Sequence, residues 1–458
     1  MTTTLASESD NQNLNRKRWR HLILGVVCML MIANLQYGWT LFVLPLHNAH
    51  GWAIAEIQFA FTLFVALETW GTPLPGWIAD KLGPDIGPRL AISAGAVLVA
   101  LGWIVESWAD SVPLLYFGGA LAGLGSGAVY TTCVGIAVKW FKDNRGLAVG
   151  LVAAGFGAGA ALTIIPLRMM IVASGYQSAF FWFGLIQGSV ILIVAQFIRA
   201  PHPGEAPTET AVRRQTSHSY STREMLSQPV FWVLYILDLM MCAGGLIVTA
   251  NLAPIAHSYG VGNVMIWGTT TLAVGLIFAN IMNGVGRPLF GWVGDRVGNT
   301  PAMAIAFALG AASYYLLSVT GHHAWGYIFF AGMIFFCWGN IFSLFPAMCT
   351  DLFGPQYATA NLSVLYTAKG VAAFLVPLGT VLVAATGSWD SVLLLGAGIN
   401  VVATILVLAV LRPAADRYHA ALPSRRPVKL TKATDHPAAR DRAAFDSRSV
   451  QHGRPKLP

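Results

Sequence analysis

The sequence predicts an all-α membrane protein, with twelve transmembrane helices arranged as two pseudo-symmetric six-helix bundles. Three observations predict it. Of 458 residues, 55% are hydrophobic and only 10% are charged, where soluble domains carry roughly 25% charge; such a chain could cover itself in lipid but not in water. The apolar residues fall into twelve stretches of crossing length. A thirteen-residue string also recurs at an offset of 215, at the same place within each half.

In order, Met1–Asn15 is polar and Arg16–Arg20 basic, and an apolar run starts near Leu22 and passes Leu41. That run is too long for a signal-peptide core and has no small-residue cleavage pattern behind it, so it reads as the first membrane helix. A crossing needs about 20 apolar residues. The expected spans are 21–44, 55–79, 88–108, 112–138, 147–172, 178–199, 229–254, 266–291, 301–320, 324–350, 357–385 and 389–411. The arm is 1–20, the first bundle 21–199 and the second 229–411. Between the bundles lies a Pro-, Ser- and Thr-containing loop, 200–228. The tail 412–458 is charged and rich in Pro and Ala, a composition that predicts disorder.

The net charge is +8. Its placement points to lipid rather than nucleic acid. If the N-terminus is cytoplasmic, 25 of the 28 Lys and Arg residues fall in cytoplasmic segments, as the positive-inside rule requires. Twelve spans then return the C-terminus to the cytoplasm, which describes a multi-pass protein of the cell inner membrane. The five cysteines all lie in apolar runs without a CxxC pair and read as small core residues. No metal-ligand spacing, cofactor motif or catalytic constellation appears, so an enzyme is not expected.

The repeat pairs Gly71–Gly83 (GTPLPGWIADKLG) with Gly286–Gly298 (GRPLFGWVGDRVG), identical at seven of thirteen positions. Each copy closes the second helix of its half and enters a cytoplasmic turn. Gly76, Gly83, Gly291 and Gly298 permit close helix approach and a tight turn. The pairs Asp80–Lys81 and Asp295–Arg296 could cap a neighbouring helix or form a gate ion pair. The string resembles the loop motif of the major facilitator superfamily, and the resemblance extends over the chain. It implies two bundles that rock about a central substrate site, in a protein that is by default a monomer.

Ionisable groups inside a bilayer are costly and mark function. Four stand out: Glu68 in span 2, Asp238 in span 7, Arg287 in span 8 and Lys369 in span 11. Lys369 lies about 18 Å along its span, too deep to snorkel, so it must meet a watery cavity or a partner. Arg287 lies four residues before Gly291; it could snorkel, but its repeat counterpart is Thr72, so the motif does not require a cation there. Asn280, Asn283 and Arg287 share one helical face. Two cations in one half suggest an anionic substrate, the guanidinium gripping a carboxylate and the ammonium supplying a point charge. Glu68 could pair with a cation, take a proton during transport or stay neutral. Asp238 is open between structural and coupling roles.

Several stretches resemble the oxalate/formate antiporter family: Gln36–Leu41 (QYGWTL), Trp140–Ala148 (WFKDNRGLA), Phe231–Leu234 (FWVL) with Gly244–Leu246, Asn283–Trp292 (NGVGRPLFGW), Phe335–Pro346 (FFCWGNIFSLFP) and Tyr366–Gly370 (YTAKG). The resemblance implies exchange of small carboxylates such as oxalate and formate. The family's substrate cations map onto Arg287 and Lys369. Its aromatic box maps onto Tyr37, Tyr130, Phe156, Trp338, Phe342 and Tyr366, with Gln36 as a polar contact beside it. Phe156 and Phe342 stand where the family's oxalate exchanger has tyrosines, and Tyr366 where it has a tryptophan, which alters the pocket's hydrogen bonding. The alternatives are a proton-coupled monocarboxylate symporter of the lactate/pyruvate kind and a transporter-like sensor. Symporters of that kind often carry an Asp four residues before the span 8 Arg, where this chain has Asn283, and the tail shows no globular signalling domain.

Overall fold

The computed structural model describes residues 2–141, 145–202, 205, 220–354 and 358–420, without side chains at 2–13, 80, 145–146, 358–360 and 418–420. Residues Met1–Arg417 form one compact unit, and Tyr418–Pro458 form a second, of which only the helical end to Ala420 is described. The helices are α1 (Thr2–Tyr37), α2 (Thr40–His50), α3 (Ile54–Trp70), α4 (Pro73–Lys81), α5 (Gly83–Ser107), α6 (Val112–Trp140), α7 (Arg145–Gly159), α8 (Ile164–Ala195), α9 (Thr222–Leu226), α10 (Pro229–Ser258), α11 (Thr271–Val297), α12 (Asn299–Thr320), α13 (Ala324–Trp338), α14 (Ile341–Phe353), α15 (Ala358–Ala373), α16 (Val376–Thr386), α17 (Asp390–Leu406) and α18 (Arg412–Ala420). A small hairpin, β1 (Met265–Ile266) against β2 (Thr269–Thr270), precedes α11.

Among the described residues, ten helical stretches are long and apolar enough to cross a membrane. The expected spans differ from them in identifiable ways. Expected spans five and six lie in one 49-residue stretch, Leu147–Ala195, interrupted by a 3₁₀ turn at Ala160–Leu162 and by Gly175 at φ 84°. Expected span two divides into α3 and α4. Pro73 cannot donate to the Thr69 carbonyl, and the Thr72 hydroxyl takes that acceptor instead at 2.8 Å. The first helix begins at Thr2 rather than after the basic cluster, and it breaks at Gly38–Trp39. The last apolar stretch runs through a π turn to Arg417, beyond the expected end at 411.

Among the first helices, α5 packs on α6 and α8, α6 on α3, and α1 on α7; among the later ones, α11 packs on α13, α12 on α13 and α17, and α10 on α15. The two sets meet where α3 contacts α15 and α16, where α7 contacts α11, and where α2 contacts α10. Large apolar side chains such as Leu185, Ile193, Leu395, Val402 and Ile405 stay exposed on outer faces, as lipid-facing helices require. Gly119, Gly123 and Gly127 of α6 lie on the backbone of Ala60, Phe64 and Glu68 of α3. This i, i+4, i+8 stripe brings two helix backbones together and carries Glu68 inward.

Prolines shape the seam at the end where α2 meets α3. Pro254 frees the carbonyl of Ala250, and Pro377 frees that of Ala373. Gln58 donates to Ala250 O at 2.9 Å and to Asn251 Oδ1 at 2.9 Å. Thr62 donates to Ala373 O at 2.9 Å. The Ala253 N–H donates to Thr40 Oγ1 at 2.8 Å. Each bond joins a residue before position 200 to one after 229.

Candidate functional site

Arg287 comes from the buried face of α11. It is 1% exposed, so it does not snorkel. Its guanidinium crosses to α7 and α1, donating to Ala153 O at 2.8 Å and to Tyr37 OH at 3.1 Å. Within its own helix it reaches Asn283 Oδ1 at 3.4 Å through Nε and through one terminal nitrogen. Gly157 makes this path possible: a Cβ there would sit 2.9 Å from Arg287 Nε. Asn280 instead bonds the carbonyl of Leu276 in its own helix. Among the described residues no carboxylate pairs with Arg287. All of its acceptors are neutral, although burying an uncompensated charge costs several kcal/mol.

Lys369, in α15, is fully buried and has a different set of partners. Its ammonium donates to Glu68 Oε2 at 2.7 Å, to Gln36 Oε1 at 2.9 Å and to Tyr366 OH at 3.4 Å. Glu68 pairs with Lys369 across the seam between α3 and α15. Both side chains are about 1% exposed; removing either partner would strand the other charge at a cost of roughly 3–5 kcal/mol.

The six expected aromatic residues form one connected group. Tyr366 stacks on Tyr130 at 5.9 Å, Tyr130 meets Phe156 at 5.5 Å, and Phe156 meets Tyr37 at 5.4 Å. Tyr37 continues to Trp338 at 6.2 Å, and Trp338 to Phe342 at 5.8 Å. Phe342 and Phe156 lie beside both cations: the Arg287 guanidinium carbon is 4.0 Å and 5.9 Å from their centroids, and Lys369 Nζ is 5.8 Å from each. The two positive heads therefore lie beside the same two rings. Two buried donors on residues that bond them, Gln36 Nε2 and Asn283 Nδ2, have no partner among the described residues. In this conformation both cations are buried, and of the two surroundings the sequence allows for Lys369, a watery cavity or a partner, the structure shows the partner.

Phe335 touches Tyr37 and Trp338 at 6.2 and 5.9 Å and extends the ring group beyond the expected set. The GxxxGxxxG run at Gly119–Gly127, visible in the sequence, could have pointed to the carriage of Glu68. Asp238 is 5% exposed and accepts from Cys242 Sγ at 3.6 Å; it is near enough to feel the charge of Lys369 but makes no ion pair among the described residues. Glu106 is also buried, against Gly118 of α6, remote in sequence from the other site residues. All five cysteines are free and buried.

The motif residues lie apart from this site. Gly76 faces Thr131 of α6, and Gly291 faces Ser343 of α14, each with room for ordinary contact. Gly83 and Gly298 take φ 81° and 95°, a backbone region that favours glycine. Lys81 lies over Trp77 at 4.3 Å, and Arg296 over Trp292 at 4.2 Å, so the repeat is reproduced down to its cation–ring contact. Asp295 occupies the last turn of α11; the Asp80 side chain lies outside the described residues.

The profile of the Major Facilitator Superfamily matches residues 24–377 and 279–444. The chain belongs to the major facilitator superfamily. It is a multi-pass membrane transporter and not an enzyme. This superfamily member is 35% identical over 359 residues to the Oxalate:formate antiporter of Oxalobacter formigenes, across 78% of this chain and 82% of that protein. It is 29% identical to an uncharacterized 38 kDa protein of Thermoproteus tenax, across 77% and 84%. Monocarboxylate transporter 12-B of Danio rerio is more distant, at 23% identity across 73% and 75%.

Proposed function

We propose that this transporter exchanges small carboxylate anions, in the manner of an oxalate/formate antiporter, across the cell inner membrane. The halves 21–199 and 229–411 rock about the Arg287–Lys369 space, with both termini cytoplasmic and the protein acting as a monomer. The observation that carries the reading is Arg287: a fully buried guanidinium beside a second buried cation, inside a ring of aromatics, with no carboxylate partner among the described residues. An anion entering there would offset a charge that neutral acceptors leave uncompensated. Gln36, Tyr37, Tyr130, Phe156, Trp338, Phe342 and Tyr366 would enclose it. The Gly76–Gly83 and Gly291–Gly298 motifs would shape the cytoplasmic gate.

Arg287→Gln and Lys369→Gln are each expected to abolish uptake while the protein still inserts. The measurement is labelled oxalate entry into proteoliposomes loaded with unlabelled formate or oxalate. Wild-type exchange in both variants would remove the two-cation site. Entry that needs no internal anion but follows an imposed proton gradient would instead select monocarboxylate symport.

A further inference from the structure

Three charged side chains meet in the site, and their sum decides what a bound anion must bring with it. Arg287 and Lys369 place two positive heads beside the same two rings. Glu68 adds a carboxylate. Its Oε2 accepts from Lys369 Nζ at 2.7 Å, with both side chains about 1% exposed. Its Oε1 is buried and has no partner among the described residues. Resting on the exchange reading above, we infer that Glu68 is the proton-carrying residue of the site: a dianion travels with one proton held on Glu68, and a monoanion travels without one.

The physical basis is a charge count. With Glu68 ionised, the three side chains sum to one positive charge. A monoanion on Arg287 cancels it while Glu68 keeps Lys369. A dianion bridges both cations only if one of its carboxylates takes the ammonium from Glu68. Two carboxylates then share one buried space, and such a pair does not stay fully ionised. A proton from water moves onto Glu68, whose Oε1 is already free to hold it, and the Lys369–Glu68 pair gives way to a pair between Lys369 and the substrate. Two cations, a neutral carboxyl and a dianion again sum to zero. The loaded site is neutral with either substrate, which avoids the cost of an uncompensated buried charge. A dianion plus a proton exchanged for a monoanion moves no net charge across the membrane.

The surroundings of Glu68 leave the proton no competitor. Among the described residues Lys369 is the one cation that pairs with it. The Gln36 carbonyl oxygen, from α1, already accepts from Lys369. Tyr37 of α1, Tyr130 of α6 and Tyr366 of α15 lie within reach of the Glu68 charge, and α6 otherwise presents the backbone of Gly127. The α16 helix carries no ionisable side chain. The histidines of α2, His47 and His50, bond the Trp52 carbonyl and the Tyr176 hydroxyl. Lys369 also feels Asp238 and Cys242 of α10, which bond each other.

Proteoliposomes holding the full-length transporter test this, with formate and pH equal on both sides and an inside-positive potential set by potassium and valinomycin. The wild type should bring labelled oxalate to the same concentration inside and out. Exchange without the proton would carry one charge per cycle and raise the inside-to-outside ratio roughly 50-fold per 100 mV. Glu68→Gln cannot take the proton and should show that accumulation, whereas Glu68→Asp should behave as the wild type does. Voltage-driven accumulation by the wild type overturns the inference without any variant. Voltage-independent exchange that persists in Glu68→Gln overturns it too, because the proton then lies elsewhere. Should Glu68→Gln fail to insert, infrared difference spectra of the wild type decide. Oxalate should raise a protonated-carboxyl band that carbon-13 oxalate leaves in place and Glu68→Asp shifts; no band, a band that moves with the labelled oxalate, or one that Glu68→Asp leaves unmoved, overturns the inference. The exchange reading is checked separately in the same vesicles: oxalate entry that needs no internal formate removes it, whatever the response to voltage.

Discussion

Gly157 decides where the Arg287 guanidinium can rest. A Cβ at that position would lie 2.9 Å from Nε and 3.2 Å from the guanidinium carbon, closer than side chains pack. Gly157→Ala should therefore push the head group off Tyr37 and Ala153 and weaken anion binding by roughly tenfold. The same change favours the α7 helix by about 1 kcal/mol. Paired uptake and thermal-unfolding measurements should then show lost transport without lost stability; unchanged uptake would mean that guanidinium placement is not limiting. At this scale the sequence was informative about what stands out chemically. Arg287 and Lys369 were legible because charges inside apolar runs are conspicuous, and the ring set was legible through family resemblance. The Glu68–Lys369 bond was one of three readings for Glu68, since nothing local links residues 301 positions apart. The burial of Arg287 was equally hidden: snorkelling and inward placement use the same residue at the same depth, and only the neighbouring helix, opened by a glycine, separates them.

Prolines in this fold remove helical donors, and two of the carbonyls they free become contacts between the early and late helices. Gln58 uses the carbonyl freed by Pro254, and Thr62 the one freed by Pro377. Such bonds contribute about 1 kcal/mol each, so losing two should shift an opening equilibrium roughly 5- to 30-fold. Gln58→Leu combined with Thr62→Val is expected to speed maleimide labelling of a cysteine placed at Ala253, now 2% exposed. No background from the native thiols is expected, because all five are buried. Labelling at the wild-type rate would show that these bonds do not hold the seam. Helix existence was readable from hydropathy, but these contacts were not. A proline in an apolar run predicts a lost bond, while the side chain that claims the orphaned carbonyl arrives from the other end of the chain. The 49-residue stretch Leu147–Ala195 shows the converse: composition divided it into two spans, yet its path is interrupted at the 3₁₀ turn Ala160–Leu162 and at Gly175, whose φ is 84°.

Across the whole molecule, charge is distributed with one strong asymmetry. The Lys17 ammonium and the Arg199 guanidinium both converge on Glu205, at 3.3 and 2.6 Å. The hydrogen bond from Arg199 draws the Glu205 carboxyl down to about 2, so this cluster stays ionised at any physiological pH. It would weaken only as acid falls from the ordinary carboxylate range toward that value, since a depressed folded-state pKa gives stability above the unfolded value and loses it below. Lys81 and Arg296, each laid over a tryptophan four residues earlier, belong with this cluster in the proposed cytoplasmic set, together with the eleven cations of the tail. At the other ends of the helices, turns such as Trp108–Asp110 and Gly51–Ala53 carry no lysine or arginine. Anionic headgroups and the insertion machinery both hold cations on the inner side, so the orientation proposed for this transporter rests on this count and on nothing in the binding site. A membrane-impermeant maleimide should label Asp110→Cys in intact cells and reach Lys17→Cys only after permeabilisation. The reverse pattern would invert the transporter in the membrane and place the Gln58–Thr62 seam on the inside, exchanging the two gates while leaving the Arg287–Lys369 space where it is.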